Sequence, residues 1–299
     1  MLHFLTSTTL DFDFIAEGLG IDAENGFIDY VISSYTVDMR IIRDRFWTPQ
    51  LQLHCGKIIN GRMSTDYWVH EHIIQDGIYH AKFILVTTKN VLRFIFTTAN
   101  MTYPMINGTC WNDYLRITIP YTGTPRQTDH TRTLKHFFKW YDIKTVANIE
   151  EYDWQCLRLR FVTSIPTVTS HTVQMQHMSN TFVSTTAVTA SIVSDFNLSR
   201  YIHTGPVLVY RPRREFPEDK TAQCFMISIK PGCTHYTFEY VENVRKYHVK
   251  RYIFNTDGDR YMLVTSANLT SSAWNAKNAE LGILFRCRVD YQIGFALDK

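Results

Sequence analysis

The feature that most constrains this sequence is a repeated pattern of three polar side chains. His-x-Lys occurs only twice among the 299 residues, as His80-Ala81-Lys82 and His248-Val249-Lys250. In each copy seventeen residues separate the lysine from an asparagine, Asn100 in the first copy and Asn268 in the second. The copies begin 168 residues apart, which is about the size of one domain. A duplicated spacing of this kind predicts two halves with the same local architecture.

Both copies have the pattern of a β-hairpin. The first strand, turn and second strand fall at 80–87, 89–90 and 91–97 in the first copy, and at 248–254, 257–258 and 261–265 in the second. Side chains two residues apart on a strand share a face, so each histidine is expected beside its lysine. Counting back through each turn brings the asparagine to the same end of the hairpin. Each half is therefore predicted to gather an imidazole, an ammonium group and an amide.

One His-x-Lys by itself is most often a strand pair with an exposed lysine. Two copies that share five matched positions at identical spacing favour a functional site instead. The matched positions include the threonine and alanine of Thr97-Thr98-Ala99-Asn100 and Thr265-Ser266-Ala267-Asn268.

Composition sets looser limits. The chain is 45% hydrophobic and 20% charged, as in ordinary globular proteins, and its formal net charge of +3 does not by itself establish a polyanionic partner. Basic residues cluster within 40–45, 211–214 and 245–251. No apolar run predicts a membrane span or a secretory signal. Six scattered cysteines without a CxxC pair argue against a zinc site or disulfide framework and favour reduced thiols inside a cell.

His-x-Lys followed by a small-x-Asn segment, present twice, resembles the duplicated motif of the phospholipase D superfamily. Most members also carry an aspartate about five residues after the lysine, where this sequence has Thr87 and Asn255. Because it lacks both aspartates, the chain resembles the tyrosyl-DNA phosphodiesterase family. Segments 263–274 and 280–285 are very similar to that family's second motif and the segment after it. Similarity is weaker around the first motif, and the chain corresponds to a compact catalytic core.

The resemblance implies an α/β fold with two similar phospholipase D-like domains, each a mixed β-sheet flanked by helices. The active site would lie at their pseudo-twofold interface. We predict domains at 1–147 and 148–299, with a helix over 132–141 near the end of the first and the crossover near 145–151. One chain would complete the site, so a monomer is expected.

The residue types also predict a reaction. Lys82, Lys250, Asn100 and Asn268 would surround one phosphate with positive charge and amide donors, so no metal or cofactor is expected. One histidine would attack phosphorus and form a phosphohistidine, while the other would protonate the leaving oxygen and later accept a proton from water. Residue chemistry alone leaves the order open.

The resemblance implies that His80 is the nucleophile and His248 the general acid and base. It also implies that Glu280, twelve residues after Asn268, orients His248.

Four residues are weaker candidates for substrate contacts: Asn112, Ser179, Ser184 and Trp274. The family has a glutamine where this chain has Trp111, so Asn112 is the nearest amide and a possible partner of His80; Asp113 competes with it. The Ser/Thr-rich stretch 179–191 resembles a family segment that holds DNA phosphates, and an unliganded polar loop is nearly as good an interpretation. Trp274 either lines the site or belongs to the core. A DNA-stacking aromatic that the family has before the first histidine is replaced here by Asp76.

The implied activity is hydrolysis of 3′-phosphotyrosyl and other 3′-blocked DNA ends, repairing trapped type IB topoisomerase adducts. The expected partners are single-stranded or 3′-end DNA and a topoisomerase-derived peptide, with no membrane. The alternatives are a phospholipase or phosphatidyltransferase, a general nuclease, and a non-catalytic nucleic-acid-binding relative. The missing aspartates count against a lipid enzyme, and the intact motifs count against a non-catalytic protein. Two of four Asn-x-Ser/Thr sequons coincide with Asn100 and Asn268, which favours the nucleus or another intracellular compartment with DNA over secretion.

Overall fold

The computed structural model describes residues 2–19, 26–61, 68–178, 184–189, 207–212, 236–241, 246–256 and 258–287. Within these ranges the chain forms two β-sheets with short helices between the strands.

The first half contains seven strands: β1 (Leu2–Thr9), β2 (Asp29–Asp38), β3 (Leu51–Ile59), β4 (Trp68–Glu71), β5 (Phe83–Thr87), β6 (Val91–Thr97) and β7 (Asn107–Pro120). Its helices are α1 (Phe12–Ala16), α2 (Met39–Ile41, continued by a π-helical turn Ile42–Phe46), α3 (Tyr103–Ile106) and α4 (Asp129–Trp140).

The second half follows two 3₁₀ turns, Ile149–Glu151 and Trp154–Cys156. Its strands are β8 (Leu159–Ser164), β9 (Ser184–Thr189), β10 (Val207–Pro212), β11 (Tyr236–Val241), β12 (Lys246–Tyr247), β13 (Lys250–Asn255), β14 (Arg260–Thr265) and β15 (Glu280–Cys287). Its helices are α5 (His171–Met178) and α6 (Ser271–Trp274). None of the described helices is both long and apolar enough to cross a bilayer.

The two sheets repeat one topology. The first has the order β1-β7-β6-β5-β2-β3-β4, and the second has β8-β15-β14-β13-β9-β10-β11. In each sheet the first four neighbouring pairs are antiparallel and the last two are parallel. The predicted α/β fold with two similar mixed sheets is therefore confirmed.

Both predicted hairpins are present, as β5–β6 and β13–β14. In the first, the Thr97 amide donates to the Lys82 carbonyl over 3.3 Å, so the returning strand ends beside the motif lysine. The predicted helix is α4, which begins at Asp129, three residues before the expected start. Thr128 and Thr131 form a capping box there, which stabilises the first turn.

The two halves share one hydrophobic core. Phe94 of the first sheet packs edge-on against Phe161 of the second with ring centroids 5.2 Å apart, and Phe4 contacts Phe285 at 6.3 Å. Along β5, Phe83 faces this shared core while its neighbour Ile84 faces a second cluster on the other side of the sheet. Burial on both faces explains why the sequence of β5 is almost continuously apolar.

The crossover between the halves is fixed to the first sheet. The buried carboxylate of Asp29 accepts hydrogen bonds from the amides of Val146 (2.6 Å) and Ala147 (3.0 Å). It also accepts one from the Thr87 hydroxyl at 2.6 Å. Thr87, five residues after Lys82, thus helps to hold the crossover. The domain boundary at 147/148 stays a prediction.

Candidate active site

Each His-x-Lys motif is hydrogen-bonded to the opposite half of the molecule. The His80 amide donates to the carbonyl of Ala279 over 2.9 Å, just before β15. In the same way the His248 amide donates to the carbonyl of Trp111 over 2.8 Å, following the parallel pairing of β12 with β7. Ala279 and Trp111 are separated by the same 168 residues as the two histidines. This reciprocal exchange places both motifs at the boundary between the halves.

The two motif lysines adopt matching positions. Lys82 Nζ donates to the carbonyl of His80 over 2.8 Å, and Lys250 Nζ donates to that of His248 over 3.2 Å. Both lysines are fully buried. Burial lowers the pKa of Lys82 well below its usual value, and the nearby charge of Lys250 lowers it further. Two buried lysines whose charges act on each other favour the binding of an anion.

His80 is hydrogen-bonded to a buried carboxylate. Its Nδ1 lies 2.9 Å from Oε2 of Glu280, which also accepts the Ser266 hydroxyl at 2.5 Å. The other carboxylate oxygen accepts the Asn278 amide at 3.1 Å. Burial acts to raise the pKa of Glu280, but His80, Lys82 and the Ser266 hydroxyl hold it at about 2. Glu280 is therefore ionised at neutral pH.

This contact fixes the state of the His80 ring. The carboxylate can only accept, so Nδ1 carries the hydrogen and Nε2 keeps its lone pair. Burial lowers the pKa of His80 to about 4, against the opposing effect of Glu280. A neutral imidazole with a free Nε2 lone pair is the form that a nucleophile needs.

The predicted pairing of Glu280 with His248 is wrong. Glu280 begins β15, in the same half as His248, and the expected pairing came from the resemblance to the family. The segment before His80 runs beside the start of β15 through the Tyr79–Ala279 bridge, so Glu280 faces the first motif.

His248 has a backbone partner instead. Its Nδ1 lies 2.7 Å from the carbonyl oxygen of Thr98, within the first motif's Thr-Thr-Ala-Asn segment. Nε2 lies 3.3 Å from Lys250 Nζ. Burial lowers the pKa of His248 well below its usual value, and the charges of Lys250 and Lys82 add to this effect. At neutral pH the ring is therefore uncharged, with its hydrogen on Nδ1.

The two motif asparagines lie in matching turns after β6 and β14. The Asn100 carbonyl accepts the Thr102 amide at 2.8 Å, and the Asn268 carbonyl accepts the Thr270 amide at 2.8 Å. The buried side-chain oxygen of Asn100 has no hydrogen-bond partner within the described ranges. The role of both amides in holding a phosphate stays a prediction.

Neither Asn112 nor Asp113 forms the expected hydrogen bond with His80. Asn112 occupies the position in β7 that corresponds to Glu280 in β15, but its amide donates to the carbonyls of Met105 (2.7 Å) and Cys110 (2.9 Å). The expected Asn112–His80 contact is therefore wrong. Asp113, its competitor, is ion-paired with Arg251.

The other weak candidates give no direct support for substrate contact. Trp274 is fully buried, packs edge-on against Tyr252 and donates its Nε1 hydrogen to the Asn268 carbonyl over 3.1 Å. This is the core alternative, in which the indole supports the second asparagine turn. Ser184 is the first residue of β9, and Ser179 lies outside the described residues. Both serines stay predictions.

Several supporting residues were missed from the sequence, namely Thr98, Ser266 and Asn278. Thr98 and Ser266 occupy the same place in the two Thr-x-Ala-Asn segments, so their repetition was a usable signal. Asn278 has no such match, because Cys110 stands at the equivalent position. Within the part of the chain that the structure describes, no cluster of three or more His, Cys, Asp or Glu side chains has a geometry that would hold a metal ion.

Comparison with solved structures identifies the fold. Yeast tyrosyl-DNA phosphodiesterase superimposes with a TM-score of 0.69 at 12% identity, over 96% of this chain and 89% of that one. Phosphatidylserine synthase of Haemophilus influenzae gives a TM-score of 0.58 at 12% identity, over 99% and 84%. Polyphosphate kinase of Porphyromonas gingivalis gives 0.52 at 8% identity, over 95% and 47%. No family model and no curated protein matches the sequence.

The chain therefore has a phospholipase D-like fold, with two His-x-Lys motifs meeting between its halves. Within that fold it is similar to yeast tyrosyl-DNA phosphodiesterase over nearly the whole length of both chains.

Proposed function

We propose that this protein is a phosphodiesterase that hydrolyses 3′-phosphotyrosyl and other 3′-blocked DNA ends through a phosphohistidine, without a metal or cofactor. The observation that carries the proposal is the reciprocal anchoring of the two motifs. His80 donates to Glu280 of the second half, and His248 donates to Thr98 of the first. Two imidazoles in different hydrogen-bonding environments, flanked by two buried lysines, suit two different roles on one phosphate.

In the first step Nε2 of His80 attacks phosphorus. The new P–N bond forms as the bond between phosphorus and the tyrosyl oxygen breaks, and a protonated His248 gives its Nε2 hydrogen to that oxygen. Lys82 and Lys250 stabilise the charge that develops on the non-bridging oxygens. The Glu280 carboxylate stabilises the positive charge that His80 gains.

In the second step water attacks the phosphohistidine. His248, now neutral, accepts a proton from the water as the P–N bond breaks and His80 leaves with its lone pair. The products are a DNA 3′-phosphate and free His80, and the tyrosine has already departed. His248 ends this step protonated, and it releases the proton when the negatively charged 3′-phosphate product leaves.

The general acid must be protonated, although burial and the charges of the two motif lysines favour the neutral form of His248. A bound phosphodiester adds one negative charge beside Lys82 and Lys250, which are two of the causes that lower the pKa of His248. The anion therefore offsets their effect, and we infer that His248 takes up its proton as the substrate binds.

An exposed basic and aromatic surface beside the site favours a nucleic acid as substrate. Tyr103, three residues after Asn100, is 44% exposed, and the guanidinium of Arg45 lies over its ring at 5.7 Å. Arg43 is exposed on the same π-helical turn. Bases stack on such aromatic faces while arginines contact the phosphates.

The decisive experiment uses a single-stranded oligonucleotide with a 3′-phosphotyrosine, in the presence of EDTA. Wild-type protein is expected to release a 3′-phosphate, and His80→Ala is expected to be inactive. With a 4-nitrophenyl leaving group, which needs little protonation, His248→Ala is expected to accumulate a covalent protein–DNA adduct.

The other outcomes separate the alternatives. Cleavage of phosphatidyl substrates, with the oligonucleotide left uncleaved, would indicate a lipid enzyme. The structural similarity to phosphatidylserine synthase is the reason to test this alternative. Degradation of an unmodified strand would indicate a general nuclease.

We expect the protein to act as a monomer, in the nucleus or in another intracellular compartment that contains DNA.

A further inference from the structure

A buried ion pair joins the two halves next to His248. Arg251, which follows the motif lysine, donates Nε to Oδ2 of Asp113 at 2.8 Å and Nη2 to Oδ1 at 2.5 Å. Both side chains are essentially inaccessible to solvent. Thr6 completes the arrangement, since its hydroxyl donates to Asp113 Oδ1 (3.0 Å) and accepts from Arg251 Nη2 (2.7 Å).

Asp113 is in turn joined to the residue that orients His248. The Asp113 amide donates to the Thr98 hydroxyl at 2.9 Å, and the Thr98 amide donates to the Asp113 carbonyl at 3.0 Å. The Thr98 carbonyl then accepts the Nδ1 hydrogen of His248 at 2.7 Å. His248 and Arg251 are three residues apart, so their segment is attached to the first half at two adjacent points.

In the other half, apolar residues replace the ion pair at the equivalent positions. The positions 168 residues away from Arg251 and Asp113 are Phe83 and Leu281, which are fully buried in the shared core. There the same backbone pairing occurs between Ser266 and Leu281, with distances of 2.9 and 3.0 Å. The same local fold therefore forms with two apolar side chains in one half and with an ion pair in the other.

This comparison argues against a purely stabilising role. A buried ion pair is often no more stabilising than well-packed apolar residues of similar volume, because both charges lose their hydration. What differs between the halves is the partner of the histidine. Nδ1 of His80 is held by a side-chain carboxylate, whereas the shortest contact of Nδ1 of His248 is with a backbone carbonyl.

We propose that Asp113 and Arg251 are positioning residues for His248. They hold the Thr98 carbonyl against Nδ1, which keeps the ring in the orientation that presents Nε2 to the leaving oxygen and to water. The proposal rests on the proposed function for its catalytic consequence, but the orientation itself is independent of any substrate.

The test replaces the pair with the residues of the other half, as the double variant Asp113→Leu/Arg251→Phe. Two oligonucleotides carry the same 3′-phosphoryl group with either a tyrosine-like phenol or 4-nitrophenol as leaving group. Single-turnover formation of the covalent intermediate is expected to fall roughly 10-fold or more with the phenol, and much less with 4-nitrophenol, which needs little protonation. An equal loss with both substrates, or no loss with either, would overturn the proposal.

Arg251→Lys provides a second variant that keeps the charge but removes the bidentate contact, and it is expected to show a smaller loss with the same leaving-group dependence. A readout without substrate is the imidazole ¹⁵N spectrum, with His248 assigned from His248→Ala. A single tautomer with hydrogen on Nδ1 is expected in wild type and a mixture in the double variant; an unchanged tautomer would contradict positioning. If wild-type protein cleaved neither substrate, the proposed function would fail while this spectrum still tested the inference.

Discussion

The Glu280 carboxylate accepts a 2.9 Å hydrogen bond from Nδ1 of His80, a residue 200 positions earlier in the chain. Its counterpart in the first half is Asn112, whose amide turns instead toward two backbone carbonyls. The two halves share one topology, yet a carboxylate reaches only one of the two motif histidines. In the proposed function, this asymmetry separates the nucleophile from the general acid in an otherwise duplicated site.

Glu280→Gln tests that distinction. The amide cannot stabilise the positive charge on His80 as a carboxylate does, and a hydrogen bond to a charged group contributes about 1.5–3 kcal/mol. We expect intermediate formation to slow by roughly 10- to 150-fold in single-turnover measurements with a 4-nitrophenyl leaving group. The matched control is Asn112→Ala, at the equivalent position. A larger loss in the control than in Glu280→Gln would contradict the assigned roles.

The acid limb of the pH profile provides a second test. His80 must be neutral to attack, and burial lowers its pKa to about 4. With the 4-nitrophenyl leaving group, which needs little protonation by His248, the value of kcat/KM for intermediate formation should therefore stay constant as pH falls from 7 to 5 and then decrease through about pH 4. Glu280 opposes this lowering, so Glu280→Gln should move the limb to still lower pH.

Tryptophan fluorescence at each pH provides the control that the protein remains folded. A limb centred near pH 6.5, the ordinary pKa of a histidine, would show that His80 is not the buried nucleophile of the proposed mechanism.

Tyr103 is expected to contribute to oligonucleotide binding. Base stacking on an aromatic side chain contributes about 1–3 kcal/mol, so Tyr103→Ala should weaken binding of a single-stranded oligonucleotide by roughly 5- to 150-fold. Fluorescence anisotropy measures the change. Tyr121→Ala is the matched control, because Tyr121 has the same 44% exposure but lies just past the opposite end of β7. Equal effects of both substitutions would show that bases do not stack specifically on Tyr103.

The two halves are expected to fold only together. Each motif forms backbone hydrogen bonds with the other half, and one hydrophobic cluster contains residues of both sheets. A fragment of residues 1–147 should therefore lack a cooperative urea transition and near-ultraviolet circular dichroism. The full chain, cut between 147 and 148 after folding, should stay associated in gel filtration. A cooperative transition in the isolated fragment would contradict the shared core.

The α/β class was predicted from the resemblance to a known family, whereas the repeat, both hairpins and the six motif residues could be read directly from the sequence. These follow from local spacing, because a hairpin turn fixes which residues of its own two strands lie opposite each other. The matching Thr-x-Ala-Asn segments predicted equivalent turns, and the two sheets confirm the duplication.

The sequence did not reveal which groups contact which histidine, and this became clear from the tertiary structure. The pairing of Glu280 with His80 and of Thr98 with His248 depends on the exchange of strand ends between halves, as does the placement of Arg251 against Asp113. Each of these contacts joins residues more than 130 positions apart in sequence. Spacing along one strand carries no information about such contacts, because they are set by how two complete sheets pack around a common core.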